Sequence, residues 1–137
     1  MQHSRGLNVL VVAEPTGLAE ALSPPLRADG HQVGDVADAP QALVAAQGAF
    51  PDVVLLDADM SGLDVRGVAR EIGGLFARRR PFIIALARQV VDECHPTAAG
   101  SGIDLYLSKP NAPAVVRGIL RRFQEVVTDF ESFDPVI

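Results

Sequence analysis

The chain is 137 residues long, enough for one domain with a sizeable core and too short for two ordinary ones. Apolar residues make up 48% and charged residues 21%, which excludes a disordered polar chain. The net charge of −5 offers little to nucleic-acid phosphates, and no apolar run approaches the roughly 20 residues of a membrane span, so neither nucleic acid nor membrane is an expected partner.

Met1–Gly6 lacks the basic-then-apolar order of a signal peptide, and the single Cys94 has no disulfide partner, so a cytoplasmic location is expected. The one basic run, Arg78-Arg79-Arg80, reads as a solvated helix end. In chain order, Leu7–Ala13 is a short run rich in β-branched residues, continuously apolar once past Asn8, the pattern of a strand buried on both faces. Leu18, Leu22 and Leu26 then recur at helical spacing. Pro24-Pro25 falls inside that helix and predicts a break or kink. His31–Ala37 is weaker and reads as an edge strand. Asp38 is a plausible N-cap for a helix carrying Ala42, Leu43 and Ala46. DVVLLD, residues 52–57, is a second buried strand; Asp64 then precedes Val65, Val68, Ala69 and Ile72 on a third helix. PFIIALA, residues 81–87, is a third buried run. Between Arg88 and Gly100 a fourth helix is expected to be short or irregular, because it holds Pro96 and few apolar anchors. IDLYLS, residues 103–108, is the last strand. The last helix carries a stripe of Val115, Val116, Ile119, Leu120, Phe123 and Val127, with Pro113 near its first turn.

Strands and helices alternate throughout, which predicts an α/β domain with a parallel sheet wrapped by helices on both sides. The whole chain, 1–137, reads as a single domain with its core at about 7–127 and a short tail at 128–137. In such a sheet, ligands bind beyond the carboxyl ends of the strands. The residues there are Glu14, then Asp57-Ala58-Asp59, then Ala87-Arg88, then Lys109-Pro110. Glu14 and Asp57 are hard oxygen ligands suited to Mg²⁺, and Lys109 is a compact cation suited to a phosphate oxygen. Lys109 is the only lysine in the chain, which invites a local reason for its small ammonium. A carboxylate ending a doubly buried strand, as Asp57 does, needs a cation or hydrogen-bond donors to offset its desolvation.

LVVAEP (10–15), DVVLLDADMSGLD (52–64), PFIIALA (81–87) and DLYLSKP (104–110), in that order, resemble the four signature segments of response-regulator receiver domains of two-component signalling. The resemblance covers about residues 7–127 and implies the flavodoxin-like receiver fold: five parallel strands in the order 2-1-3-4-5, flanked by five helices. It implies that Asp57 accepts a phosphoryl group from a histidine kinase or phosphotransfer protein, forming an aspartyl phosphate. It further implies that Glu14, Asp57 and the backbone carbonyl of Asp59 hold Mg²⁺, so that the Asp59 side chain need not matter. Lys109 matches the lysine that contacts the phosphoryl group, and Tyr106 the aromatic switch residue.

Three departures from the family bear on mechanism. Ala13 stands where a second acid is usual, so Mg²⁺ should bind weakly. Ala87 stands where a threonine or serine hydroxyl usually contacts the phosphoryl group, and Arg88 beside it either replaces that donor or points into solvent. The proline-broken fourth helix should remodel the face commonly used by partners, so a homodimer is possible without being the usual one. The tail DFESFDPVI is too short for an effector domain, so the output partner, still unidentified, is expected to be reached through protein contacts. Two readings compete: an atypical receiver phosphorylated on Asp57, and a pseudo-receiver that binds partners independently of phosphorylation. A phosphatase of the haloacid-dehalogenase type would need its DxD on the first strand, whereas Asp57-Ala58-Asp59 ends the third, so no enzymatic activity is expected.

Overall fold

The computed structural model describes residues 6–15, 17–76, 79–88 and 102–132, with side chains described as far as Val126. In chain order the elements are β1 (Asn8–Val12), α1 (Leu18–Ala28), β2 (Gln32–Val36), α2 (Ala39–Ala49), β3 (Val53–Asp57), α3 (Val65–Gly74), β4 (Phe82–Ala87), β5 (Leu105–Ser108) and α4 (Ala112–Ser132). A 3-10 turn, Lys109–Asn111, leads from β5 into α4. All strands are parallel, as the alternating pattern predicts, and their order is β2-β1-β3-β4-β5, as the family resemblance implies. Four helices are described where five are expected. The expected fourth, with Cys94 and Pro96, lies outside the described residues, as do Arg78 and the side chain of Val127.

Alternate residues of each strand feed opposite faces of the sheet. On one side Val11, Leu55, Ile84 and Leu86 join Leu22 and Leu26 of α1 and Val116 and Leu120 of α4. On the other, Val12, Val54, Leu56 and Ile83 join Ala42 and Ala46 of α2 and Val68 and Ile72 of α3. Every residue of β3 is buried, because this strand has a neighbour on each edge and helices on each face. β2 is one of the two edge strands and is mostly exposed. Asp38 caps α2 by accepting the Gln41 N–H at 2.8 Å, and Asp64 caps α3 by accepting the Gly67 N–H at 3.1 Å.

Two local expectations are corrected. The expected break at Pro24-Pro25 does not occur: α1 is a single helix through both prolines. Their missing N–H groups would have served the carbonyls of Glu20 and Ala21, which lie on exposed residues where water can bond them. Leu22 and Leu26, both buried, anchor the helix to the sheet on either side of the diproline. The arginine run, in turn, is more than a solvated helix end. α3 stops at Gly74, and Arg79 pairs with the buried Asp52 at 2.7 Å. Asp52 also accepts the Asn8 N–H at 2.8 Å, tying the start of β1 to that of β3. Arg80 pairs with Asp104 at 3.2 Å and donates to the Gly102 carbonyl, while Asp104 accepts the Ile83 N–H at 2.8 Å. These carboxylates fasten the amino edge of the sheet, opposite the predicted ligand edge.

His31 supplies a further tie at that edge: its Nδ1 accepts the Leu7 N–H at 3.1 Å, so the imidazole is held neutral. Burial lowers its pKa from the usual 6.5, against a weaker pull upward from Asp29. The unfolded chain therefore takes up a proton near 6.5 while the folded chain resists, and stability falls as the pH drops below that value. In His31→Asn, whose amide oxygen can accept the same N–H without titrating, this part of the acid-side loss is expected to vanish. Urea midpoints of both proteins measured across that range check it; parallel curves would refute it.

Candidate functional site

The sheet register assembles the charged strand ends. Asp57 pairs with Leu86, and Val12 with Leu56, so Ala13 lies one step further up beside Asp57. Ala87 pairs with Ser108, so Arg88 and Lys109 leave the sheet together. Lys109 Nζ lies 2.7 Å from Asp57 Oδ1 and 3.1 Å from Asp59 Oδ2, bridging the two carboxylates. Asp57 is only 8% exposed, and its Oδ1 also accepts the Asp59 backbone N–H at 2.9 Å. The desolvation that makes a strand-end carboxylate costly is thus offset by one ammonium and one N–H.

Asp59 turns its side chain into the same cluster. Its Oδ2 accepts the Arg88 backbone N–H at 2.7 Å, and Arg88 Nε stands 3.7 Å away. Burial alone would raise the Asp59 pKa, but the Arg88 N–H and the Lys109 ammonium outweigh it and hold the carboxyl below its usual value of 3.8. Burial likewise works against the charge on Lys109, and its hydrogen bonds to Asp57 and Asp59 reverse the effect, raising it above 10.5. The Asp59 side chain, expected to be dispensable, is thus bonded within the cluster. The D-A-D spacing places Asp59 on the loop, but its side-chain direction comes from Arg88 and Lys109, donors 29 and 50 positions further along the chain. The Arg88 side chain is 81% exposed, and its backbone N–H makes the closer contact with Asp59, at 2.7 Å against 3.7 Å for Nε.

Ala87 is buried at the end of β4 and offers no hydroxyl. Tyr106, partly buried on β5, packs against the cluster containing Val12, Leu56 and Ile83. Ala13 is buried, whereas Glu14 is exposed at the rim. Among the described residues, no three His, Cys, Asp or Glu side chains group at metal-binding spacing. The strand ends at this edge carry the carboxylates of Glu14, Asp57 and Asp59, the last two sharing the Lys109 ammonium. Mg²⁺ commonly binds through one or two carboxylates and retains water for the rest of its shell, so this donor set suits it, though thinly.

No protein-family model matches the sequence. The DNA-binding response regulator MtrA of Mycolicibacterium smegmatis is 35% identical over 136 residues, covering 93% of this chain and 57% of that protein. The MtrA protein of Mycobacterium leprae is 37% identical over 122 residues, covering 83% and 51%. The chain thus spans about half the length of the curated relatives it matches. Among solved structures, the receiver domain of a Pseudomonas aeruginosa sensor histidine kinase, with magnesium coordinated in its active-site cleft, is 30% identical with a TM-score of 0.74. That match covers 88% of this chain and 98% of the other. The chain belongs to the response-regulator receiver domains. A receiver domain from Methanospirillum hungatei shares the fold, with a TM-score of 0.77 at 18% identity over 93% of this receiver and 99% of its own length. No helix among the described residues of the receiver is long and apolar enough to cross a membrane.

Proposed function

We propose that this receiver accepts a phosphoryl group on Asp57 from a histidine kinase or phosphotransfer protein and passes the signal on through protein contacts in the cytoplasm. The observation that carries this reading is the 2.7 Å pair between Lys109 Nζ and the buried Asp57 carboxylate at the carboxyl end of the central strand. In the reaction an Asp57 oxygen bonds to phosphorus as the donor's bond to phosphorus breaks, leaving an acyl phosphate. Lys109 and the backbone N–H groups of Asp59 and Arg88 are the donors available to the phosphoryl oxygens as charge shifts onto them. Glu14, Asp57 and the Asp59 carbonyl would hold Mg²⁺, which supplies further charge neutralisation when bound. The DNA binding in the relatives' names belongs to those longer proteins. For this acidic domain we favour output through protein surfaces, with self-association as one route.

A second reading, a pseudo-receiver working without phosphate, draws support from the missing groups at Ala13 and Ala87 and from the cation already paired within the site. Incubation with Mg²⁺ and a small phosphodonor separates the two. The intact protein should gain the mass of one phosphoryl group and Asp57→Ala should not. No adduct under conditions that modify an ordinary receiver would overturn phosphorylation. Ala13→Asp is expected to restore the missing acid and tighten Mg²⁺ binding in a direct titration, and an unchanged affinity would refute that role for position 13.

A further inference from the structure

The donors beside Asp57 are already in use. Lys109 Nζ reaches Asp59 Oδ2 at 3.1 Å, and the Arg88 N–H reaches the same oxygen at 2.7 Å. One carboxylate oxygen therefore collects an ammonium and a backbone N–H. Because Lys109 also touches Asp57 Oδ1 at 2.7 Å, that oxygen sits across a single shared donor from the proposed phosphoacceptor. This is the arrangement an oxygen of a group attached to Asp57 would adopt. Ala87 adds no hydroxyl to the donor set.

Resting on that reading of Asp57, we propose that Asp59 is an internal stand-in for the phosphoryl group: its carboxylate fills the Lys109 and Arg88 N–H positions in the resting receiver and must leave before phosphate can take them. The exchange is sterically simple. Asp59 lies on the loop after β3, its side chain is 27% exposed, and rotation about its side-chain bonds carries the carboxylate outward. The Arg88 guanidinium, 3.7 Å away and largely in solvent, offers the displaced group a partner outside the pocket. The consequence is a raised threshold: phosphorylation works against an intramolecular competitor at fixed, high effective concentration.

The first measurement does not depend on phosphorylation. In an Asp57→Asn background, which cannot form the adduct, inorganic phosphate is titrated while the Arg88 backbone amide is followed by NMR. Adding Asp59→Asn is expected to lower the half-saturating phosphate concentration about fivefold or more, since a charge-assisted competitor has been removed. An equal or weaker response, or no response of the Arg88 amide in the double variant, overturns the proposal. The second measurement compares adduct formation from a small phosphodonor with Mg²⁺ in the wild type and in Asp59→Asn. Faster modification of Asp59→Asn supports the competition, and an equal or slower rate contradicts it. If the phosphate titration succeeds and neither protein forms an adduct, Asp59 competes as proposed and it is the phosphoacceptor reading that fails.

Discussion

Lys109→Ala is expected to slow phosphoryl transfer onto Asp57 by about 10²-fold, the usual cost of removing one preorganised donor from a developing anion. Lys109 is the only ammonium side chain in the chain, and its Nζ lies 2.7 Å from Asp57 Oδ1. Arg88 does not replace it, because its side chain faces solvent. Initial rates of adduct formation measure the effect; a loss smaller than about fivefold would remove Lys109 from the proposed chemistry.

The same substitution also leaves the Asp57 and Asp59 carboxylates facing each other without their shared cation. All three side chains are less than a third exposed, so a loss of about 2 kcal/mol is expected near neutral pH, below that of a fully buried pair. The pH dependence has a definite sign at each end. The folded-state pKa of Asp59 lies below 3.8, so its contribution is present above that value and is lost as the pH falls through the folded pKa. That of Lys109 lies above 10.5, so its contribution is present below that value and is lost as the pH rises through the folded pKa. Urea midpoints of the wild type and Lys109→Ala should therefore differ most between these limits and converge outside them. Lys109→Arg should keep most of the stability while still transferring slowly, because a guanidinium restores charge but not the compact shape. A constant offset across the whole pH range would show that packing, rather than charge, carries the difference.

Leu55→Ala is expected to cost about 3–4 kcal/mol, a large part of the 5–15 kcal/mol that ordinarily separates folded from unfolded domains. Leu55 is fully buried in the middle of β3, with Val11 of β1 and Ile84 of β4 as its register partners. It belongs to the cluster that also contains Leu22 and Leu26 of α1 and Leu120 of α4, so the cavity would open where three strands and two helices meet and none can close it alone. A fall in melting temperature of about 10 °C should accompany it. Val44→Ala, at a position 71% exposed on α2, should change stability by less than about 0.5 kcal/mol. Similar costs at the two positions would mean that the sheet core is far more plastic than its packing implies.

Much of this receiver is legible in its residues. Continuous apolar runs set β3 and β4 in the middle of the sheet, and the half-polar His31–Ala37 run set β2 at its edge, because burial is written into composition and period. Asp57 and Lys109 stand out for the same reason: one ends a strand and the other directly follows one at the sheet's carboxyl edge, where one charge requires another. What the residues do not disclose is which long-range partner a polar side chain takes. The diproline of α1 signals a break only until Leu22 and Leu26 are seen anchoring the helix on both sides of it. Arg79 and Arg80 look like solvated charges until Asp52 and Asp104 are brought to them. Asp59 resembles a loop residue contributing only its carbonyl until the Arg88 N–H and Lys109 turn its carboxylate inward. The sequence alone determined the layers and the residues at the site's edge, since hydrophobic period is a local property. Tertiary structure decided the state of that site, because a hydrogen bond depends on the distance between elements that only the folded register brings together.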